Sequence, residues 1–574
     1  MYIIINGIIV ATNIIWCIFA MYIDTSTVTT KGRTYKRVLL RESFRANGKV
    51  KKRTIANLSA CSAQEIEAIK LALAHKDNLA GLGSVDKNLT LRQGDSVGAV
   101  WVVYQIACRL GITNALGSSR QGKLALWQVI ARVIDQGSRL SAVRFGASHA
   151  ACDILDCDAF HEEHLYANLD WLQENQQEIE SKLFHQLQDQ EKIELFLYDV
   201  TSSYLEGTQN ELAAFGYNRD RKQGKQQIVI GLLCDAQGTP LSIEVFSGNT
   251  ADTKTFGQQV AKVAERFGAQ SVTFVGDRGM IKGPQIAQLQ QNNQDELHYI
   301  TAITKAQIEK LLQSNKIQLG LFDQDLTEVQ LEESVRLVLR RNPVRAEEIR
   351  QSREDKYQCL VTFIEKQNDY LLEHPRAKIA TARQKIENKS KQLRIDEWVC
   401  VSDKGRTLSL LKDAVKLREV EKLDGCYVLK TDLPYDKVPK EIIHNRYKDL
   451  ALVEWAFRTS KSKQLEIRPV NVRLESRTRG HAFVVMMAYR IVKELATLWA
   501  PLDLTVPEAL SELDALCSTE VSVAAGGCFH RIPEPRELSR QLLELANVKL
   551  PPVLANKGIR VATKKKLPSR RKAA

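Results

Sequence analysis

Apolar and polar positions along the chain fall into blocks of different period, and each change of period marks a candidate boundary. In residues 30–58, TKGRTYKRVLLRESFRANGKVKKRTIANL, β-type stretches at 35–40 and 50–55 flank the turn signal ANGK, which predicts a basic β hairpin within segment 21–62. From 63 to 190 the spacing turns helical, as in ALWQVIARVIDQG (125–137) and HLYANLDWLQENQQEIESKLF (164–184). A helical region in a basic setting accommodates either a helix-turn-helix DNA-binding unit or plain helical packing.

After Lys192 the period becomes that of strands. Residues 193–198, 228–233 and 241–246 are three strand candidates, the last two joined by the turn DAQGTP. DTKTFGQQVAKVAERFG then reads as a helix with Asp252 as its N-cap, SVTFVGDRGMI as a fourth strand, and HYITAI as a fifth after a short helix. The βββαβαβ order predicts an α/β fold, an RNase H-like core whose mixed five-stranded sheet carries helices on its faces, beginning at 191–304. Residues 305–445 break the pattern: charged helical NPVRAEEIRQSREDKY (342–357) stands beside strand-like QCLVTFIEK (358–366) and GCYVLKTDL (425–433). This predicts a partly β insertion domain, after which the core resumes over 446–500. A helix is expected through NRYKDLALVEWAFRTSKS (445–462) and another through GHAFVVMMAYRIVKELATLWA (480–500). The second carries Arg490, Lys493 and Glu494, which favours a buried helix over a membrane span.

Charge adds a partner to this outline. The 574 residues carry a formal +13, and the tail KGIRVATKKKLPSRRKAA (557–574), within the C-terminal region 501–574, supplies +8 of it without one acid. A basic tail on a mildly basic body suits a polyanionic partner, although a solvated disordered end has the same composition. The 44% hydrophobic and 26% charged composition is globular, and the length implies several domains. Eleven cysteines with no CxxC pair indicate neither a disulfide framework nor a zinc ribbon, which fits a reducing cytosol. MYIIINGIIVATNIIWCIFA (1–20) is almost wholly apolar, yet it lacks a basic n-region, and a second MY at Met21 opens ordinary soluble sequence. The expectation is that the functional chain starts at Met21, with no membrane role.

Two acids stand at the carboxyl ends of predicted strands, Asp199 and Asp277, where open α/β sheets bind ligands. Two carboxylates brought together repel unless a cation lies between them, and oxygen donors without His or Cys favour Mg²⁺ or Mn²⁺. A third acid is offered by Glu454. On one continuous helix Tyr447, Glu454, Arg458 and Lys461 fall within roughly 60° of arc, while Leu452, Trp455 and Ala456 point toward the core. That face suits a phosphodiester beside a metal; a solvated Glu454/Arg458 pair is the plainer alternative. Gly279, just after Asp277, lets the chain turn away and leaves the site open.

The blocks YDVTSSYLEG, GYNRDRKQGKQQIVIGLLCDAQGTPLSIEVFSGNTADTKTF, FVGDRGM and YKDLALVEWAFRTSKSKQLEIRPV resemble, in this order, those of DDE transposases of bacterial insertion sequences. The similarity is to the IS-four superfamily in its sixteen-thirty-four branch, and it spans most of the chain from Met21 to about Leu498. The family signature Tyr, two residues, Arg, three residues, Glu, six residues, Lys falls on Tyr447, Leu450, Glu454 and Lys461. Leu450 departs from it, with Arg446 or Arg458 as the alternative source of that charge.

The resemblance implies that Asp199, Asp277 and Glu454 form a catalytic triad holding two Mg²⁺ (or Mn²⁺), which activate a nucleophile and stabilise the leaving oxygen at phosphorus. It implies that Tyr447 and Lys461 position double-stranded DNA with charge from Arg458, and that a homodimer synapses the element's inverted repeats, cuts its ends and joins them to target DNA. A catalytically inactive product of a decayed element and a related metal-dependent nuclease are the other readings. Two further signals carry less. GSSRQGKL (117–124) imitates a phosphate loop but has Leu124 where Ser or Thr is needed. CDILDCDAFHEEH offers Cys152, Cys157, His161 and His164 at spacings too short for a finger. Asn249 and Asp252 serve either the site or local turns, and the hairpin at 31–53 either touches DNA or is an exposed ribbon.

Overall fold

The computed structural model describes residues 21–30, 33–46, 49–76, 89–189, 193–217, 219–220, 222–257, 271–278, 280–281, 286, 296–332, 335–462, 464–468, 472–523, 527–554 and 558–564. The apolar segment 1–20, the ANGK turn residues 47–48, Gly279, most of the two helices expected around 258–295, and the tail beyond 564 lie outside them. The chain divides into two compact units, one built from 1–94, 518–533 and 552–554, the other from 95–517, 534–551 and 555–574.

The first unit opens with the basic segment, which forms three strands rather than a hairpin: β1 (Met21–Thr30), β2 (Arg33–Ala46) and β3 (Lys49–Asn57), all antiparallel. β1 escaped the sequence pattern because its Thr and Ser residues lack apolar alternation. Helix α1 (Ala63–Ala74) follows, started by a capping box in which Ser62 and Glu65 satisfy each other's backbone N–H. A second sheet, in the order β16-β15-β4, joins β4 (Leu89–Ser96) to the hairpin of β15 (Cys517–Val523) and β16 (Gly527–Arg531).

The second unit begins with seven helices, α2 (Gly98–Arg109), α3 (Ile112–Leu116), α4 (Arg120–Ile134), α5 (Arg139–Ser148), α6 (Ala151–Leu155), α7 (Glu162–Glu174) and α8 (Gln176–Gln188). The single helix expected over 164–184 is thus two, broken at Asn175, whose side-chain amide donates to the Trp171 carbonyl. The phosphate-loop imitation is a helix start: the Ser119 hydroxyl accepts from the Gly122 N–H and caps α4.

Among the described residues the sheet of this unit has eight strands in the order β10-β11-β14-β9-β8-β5-β6-β7. Five of them, β5 (Leu195–Tyr204), β6 (Gln227–Cys234), β7 (Pro240–Ser247), β8 (Ser271–Gly276) and β9 (Glu296–Ala302), are those expected. β6 lies antiparallel between β5 and β7, while β5, β8 and β9 run parallel. The other three, β10 (Thr327–Glu332), β11 (Val335–Arg341) and β14 (Cys426–Thr431), come from 305–445 and continue the sheet beyond β9, so the five-strand expectation is corrected to eight. One face is closed by Phe196, Tyr198, Val200, Phe256, Phe274 and Tyr299.

Residues 305–445 also hold α9 (Lys305–Gln313), the 31-residue α10 (Pro343–Glu373), α11 (Ile379–Leu393), the hairpin β12 (Val399–Lys404) and β13 (Thr407–Lys412), and α12 (Ala414–Glu421). QCLVTFIEK lies inside α10 and is not a strand: its buried positions Leu360 and Ile364, with Leu371 further along the helix, form a helical stripe that packs on Ile386 and Trp398. After these come α13 (Lys440–Lys448), α14 (Leu450–Lys461), α15 (Glu475–Leu498), α16 (Val506–Asp514) and α17 (Glu537–Leu545). α15 is buried along most of its length, including Arg490, and packs on α4, α7 and β7. Among the described residues no helix is long and apolar enough to cross a membrane.

Candidate active site

β5 does not stop at Asp199. It continues to Tyr204 because Thr201, Ser202 and Ser203, buried despite their hydroxyls, keep pairing with Ile230, Val229 and Ile228 of β6. What ends near Asp199 is the parallel ladder to β8, whose last rung pairs Tyr198 with Gly276. Alternation along strands then fixes the geometry. Phe196 and Tyr198 face the aromatic cluster, whereas Leu197 and its partner Val275 face the other side; Asp199 and Asp277 are the next residues of that second register. Two acids therefore occupy neighbouring chains, just past the last parallel rung, roughly one strand spacing of about 4.8 Å apart.

The third acid arrives on α14, which packs over β5. The continuous helix expected over 445–462 is instead α13 and α14 meeting at Asp449, where the Leu452 N–H reaches the Asp449 carbonyl in a tightened step. That step changes the phase of the faces. Leu450, Val453, Ala456, Phe457 and Ser460 are the buried positions of α14, while Leu452 is 37% and Trp455 60% exposed. The expectation that Leu452 and Trp455 face the core is corrected; Ala456 does. Leu450, at the signature's Arg position, is 8% exposed and belongs to the core stripe, where an unpaired cation would be costly.

Glu454 and Arg458 lie on the exposed side of α14 with no ion pair between them. The Arg458 guanidinium sits 5.7 Å from the centre of the Trp455 ring. Arg446 is 3.4 Å from the Asp449 carboxylate. Although Tyr447 lies on α13, its hydroxyl donates to Asp277 Oδ1 at 3.1 Å, and burial followed by the Asp277 charge raises its pKa. Asp277 Oδ1 also accepts from the Arg278 N–H at 2.7 Å.

The Asp199 carboxyl is pushed up to about 7, first by burial and then by the negative charges of Asp277 and Glu454; the Val200 N–H and Arg219 oppose the shift. Both other acids thus act electrostatically on Asp199. All donors of the set are hard oxygens, and the burial and neighbouring negative charge that raise Asp199 are both relieved by a bound cation. The three acids fit a hard divalent cation.

Sequence reasoning passed over the residues that buttress this set, although they stand in the quoted block GYNRDRKQGK. The Arg219 N–H donates to Ser202 Oγ at 2.9 Å, and its guanidinium pairs with Asp252 at 2.6 Å. Asp252 is the first helical residue of its segment, so its carboxylate serves Arg219. Asp220 binds Lys461 Nζ at 2.8 Å through one oxygen and accepts from the Tyr204 N–H at 3.2 Å through the other. Lys461 is therefore held in an ion pair. Asn249 accepts from Ser247 Oγ at 3.0 Å, a turn contact. In the Cys/His segment the Cys152 and Cys157 sulfurs are 3.7 Å apart, and the His161 and His164 rings stack at 3.6 Å.

Residues 190–491, more than half of the chain and including all three acids, match the family described as Transposase DDE domain. The chain belongs to the DDE transposases. Residues 23–82 match the family described as IS1634 family transposase, N-terminal domain, which places the chain in the IS1634 branch. A comparison with curated proteins found no match.

Proposed function

We propose that the chain is an active transposase that binds the inverted repeats of its insertion sequence, cuts the element's ends and transfers them into target DNA. The reading rests above all on Asp199 and Asp277 following the same last parallel rung, with Glu454 close enough to raise Asp199. On this reading the five strands β5 to β9 with α14 and α15 are an RNase H-like core spanning 191–304 and 446–500. Residues 305–445 are the insertion domain, and the basic sheet, the helical region 63–190 and the tail contact DNA.

Asp199, Asp277 and Glu454 would hold two Mg²⁺ or Mn²⁺, which when bound supply Lewis acidity at the attacking and leaving oxygens of an in-line displacement at phosphorus. Tyr447 fixes the rotation of the Asp277 carboxylate by its hydrogen bond. Arg219, anchored by Asp252, steadies the β5 segment beside Asp199 through Ser202. Arg458 and Trp455 present a cation and an exposed aromatic face to the DNA strand, and Lys461 reaches a phosphate by exchanging Asp220 for it. A homodimer in the bacterial cytosol, one protomer per element end, completes the proposal.

The test is incubation with labelled element ends, a target plasmid and Mg²⁺. Joined product supports the transposase reading; cut ends that never join favour a nuclease, and specific binding without cleavage, even with Mn²⁺, favours the inactive DNA-binding product.

A further inference from the structure

The hairpin of β15 and β16 carries a second constellation, unrelated in chemistry to the carboxylate set. Its register places Glu520 directly opposite His530 and Ser522 opposite Cys528. Alternation puts Glu520, Cys528 and His530 on one face of the hairpin, with Cys528 two residues before His530 on β16. One ligand atom from each of the three, a carboxylate oxygen, a thiol sulfur and a ring nitrogen, lies within 4.8 Å of the other two. Cys528 is exposed, and Glu520 and His530 are partly buried, so solvent reaches the group.

We propose that these three side chains bind one Zn²⁺. Sulfur, imidazole and carboxylate together are the donor set of tetrahedral zinc, with bonds of about 2.0–2.3 Å, and three protein ligands leave the fourth position to water. Closing from the present spacing needs side-chain rotation only, because the register already supplies the convergence. Softness separates the two sites: the thiolate and imidazole select Zn²⁺, while the acids around Asp199 select Mg²⁺ or Mn²⁺. On binding, the Cys528 thiol gives its proton to solvent and the thiolate sulfur forms the bond to zinc, so occupancy rises with pH. Arg92 Nη1, 3.8 Å from the Glu520 carboxylate across the sheet, loses that contact to the ion. Bound zinc spans both strands of the hairpin and fixes their pairing.

The experiment is a Co²⁺ titration of the full chain after chelator dialysis, because sulfur-to-cobalt charge transfer reports a thiolate ligand and is silent for an oxygen-only site. The expected result is a charge-transfer band that saturates at one equivalent and is erased by Zn²⁺. Cys528→Ser, isosteric and exposed, abolishes the band with an unchanged far-ultraviolet circular dichroism spectrum. Glu520→Gln weakens Co²⁺ binding by about tenfold or more. Asp199→Asn leaves the band intact. A wild-type protein without the band overturns the proposal, as does an equal band in Cys528→Ser, which would assign it to other thiols such as Cys152 and Cys157.

Discussion

Replacing Asp199 by Asn should stabilise the metal-free protein, by an amount that grows with pH. The wild-type carboxyl titrates at about 7 in the folded chain against 3.8 in the unfolded one. An acid whose folded pKa is raised binds its proton more tightly when folded, so its penalty is absent below the unfolded value and accumulates as pH rises to the folded one. Each pH unit in that window is worth about 1.4 kcal/mol, which gives roughly 1.6 kcal/mol at pH 5 and on the order of 4 kcal/mol at pH 8 as an upper bound. Asn removes the charge while keeping an oxygen to accept the Val200 N–H, which now reaches Asp199 Oδ1 at 2.8 Å. Thermal unfolding in chelator at pH 5 and pH 8 reads the difference between variant and wild type. Added Mg²⁺ should close the gap at pH 8 by stabilising the wild type alone. A gap independent of pH, or a variant less stable than wild type at pH 8, would refute the raised Asp199 carboxyl, which burial first and the charges of Asp277 and Glu454 second produce.

Further outcomes follow from named contacts. Tyr447→Phe loses the hydrogen bond that orients Asp277, and single-turnover end cleavage should slow by roughly 10- to 150-fold if the 1.5–3 kcal/mol of a hydrogen bond to a charged group is felt in the transition state. Asp220→Asn removes the carboxylate that Lys461 exchanges for a phosphate, so DNA binding should tighten in a filter-binding titration while the slope against salt stays that of wild type. Phe274→Ala opens the aromatic cluster beneath the site, where Phe274 meets Phe196 at 5.8 Å and Phe256 at 5.5 Å between ring centres; denaturant unfolding should show a loss of about 3–5 kcal/mol.

The central sheet was legible in the sequence where strands are buried runs bounded by turns, as in β6 and β7, whose connection at 235–239 is set by Asp235 accepting from the Gln237 and Thr239 N–H groups and by Gly238 at φ +75°. It was not legible where polar residues extend a strand through pairing alone, as Ser202 and Ser203 do in β5. QCLVTFIEK misled because a short apolar run has no decisive period by itself; the partners of Leu360 and Ile364 lie on α11 and beyond, far along the chain. Likewise, the place of Asp277 could be read from a strand end, whereas Asp199 lies inside β5, which runs on to Tyr204, and only the parallel ladder ends beside it; the phase of α14 could not be read, since it depends on one tightened step at Asp449. The Arg219, Asp220 and Asp252 contacts join residues up to 241 positions apart, and no local pattern announces them.

The central claim is that Asp199, Asp277 and Glu454 form one metal centre. Mn²⁺ binding followed by electron paramagnetic resonance, on wild type and on Asp199→Asn, Asp277→Asn and Glu454→Gln separately, tests it most directly. Each substitution is expected to weaken the same high-affinity Mn²⁺ class by at least tenfold. Wild-type Mn²⁺ binding retained in Glu454→Gln would contradict it, because α14 would then carry no ligand of the site.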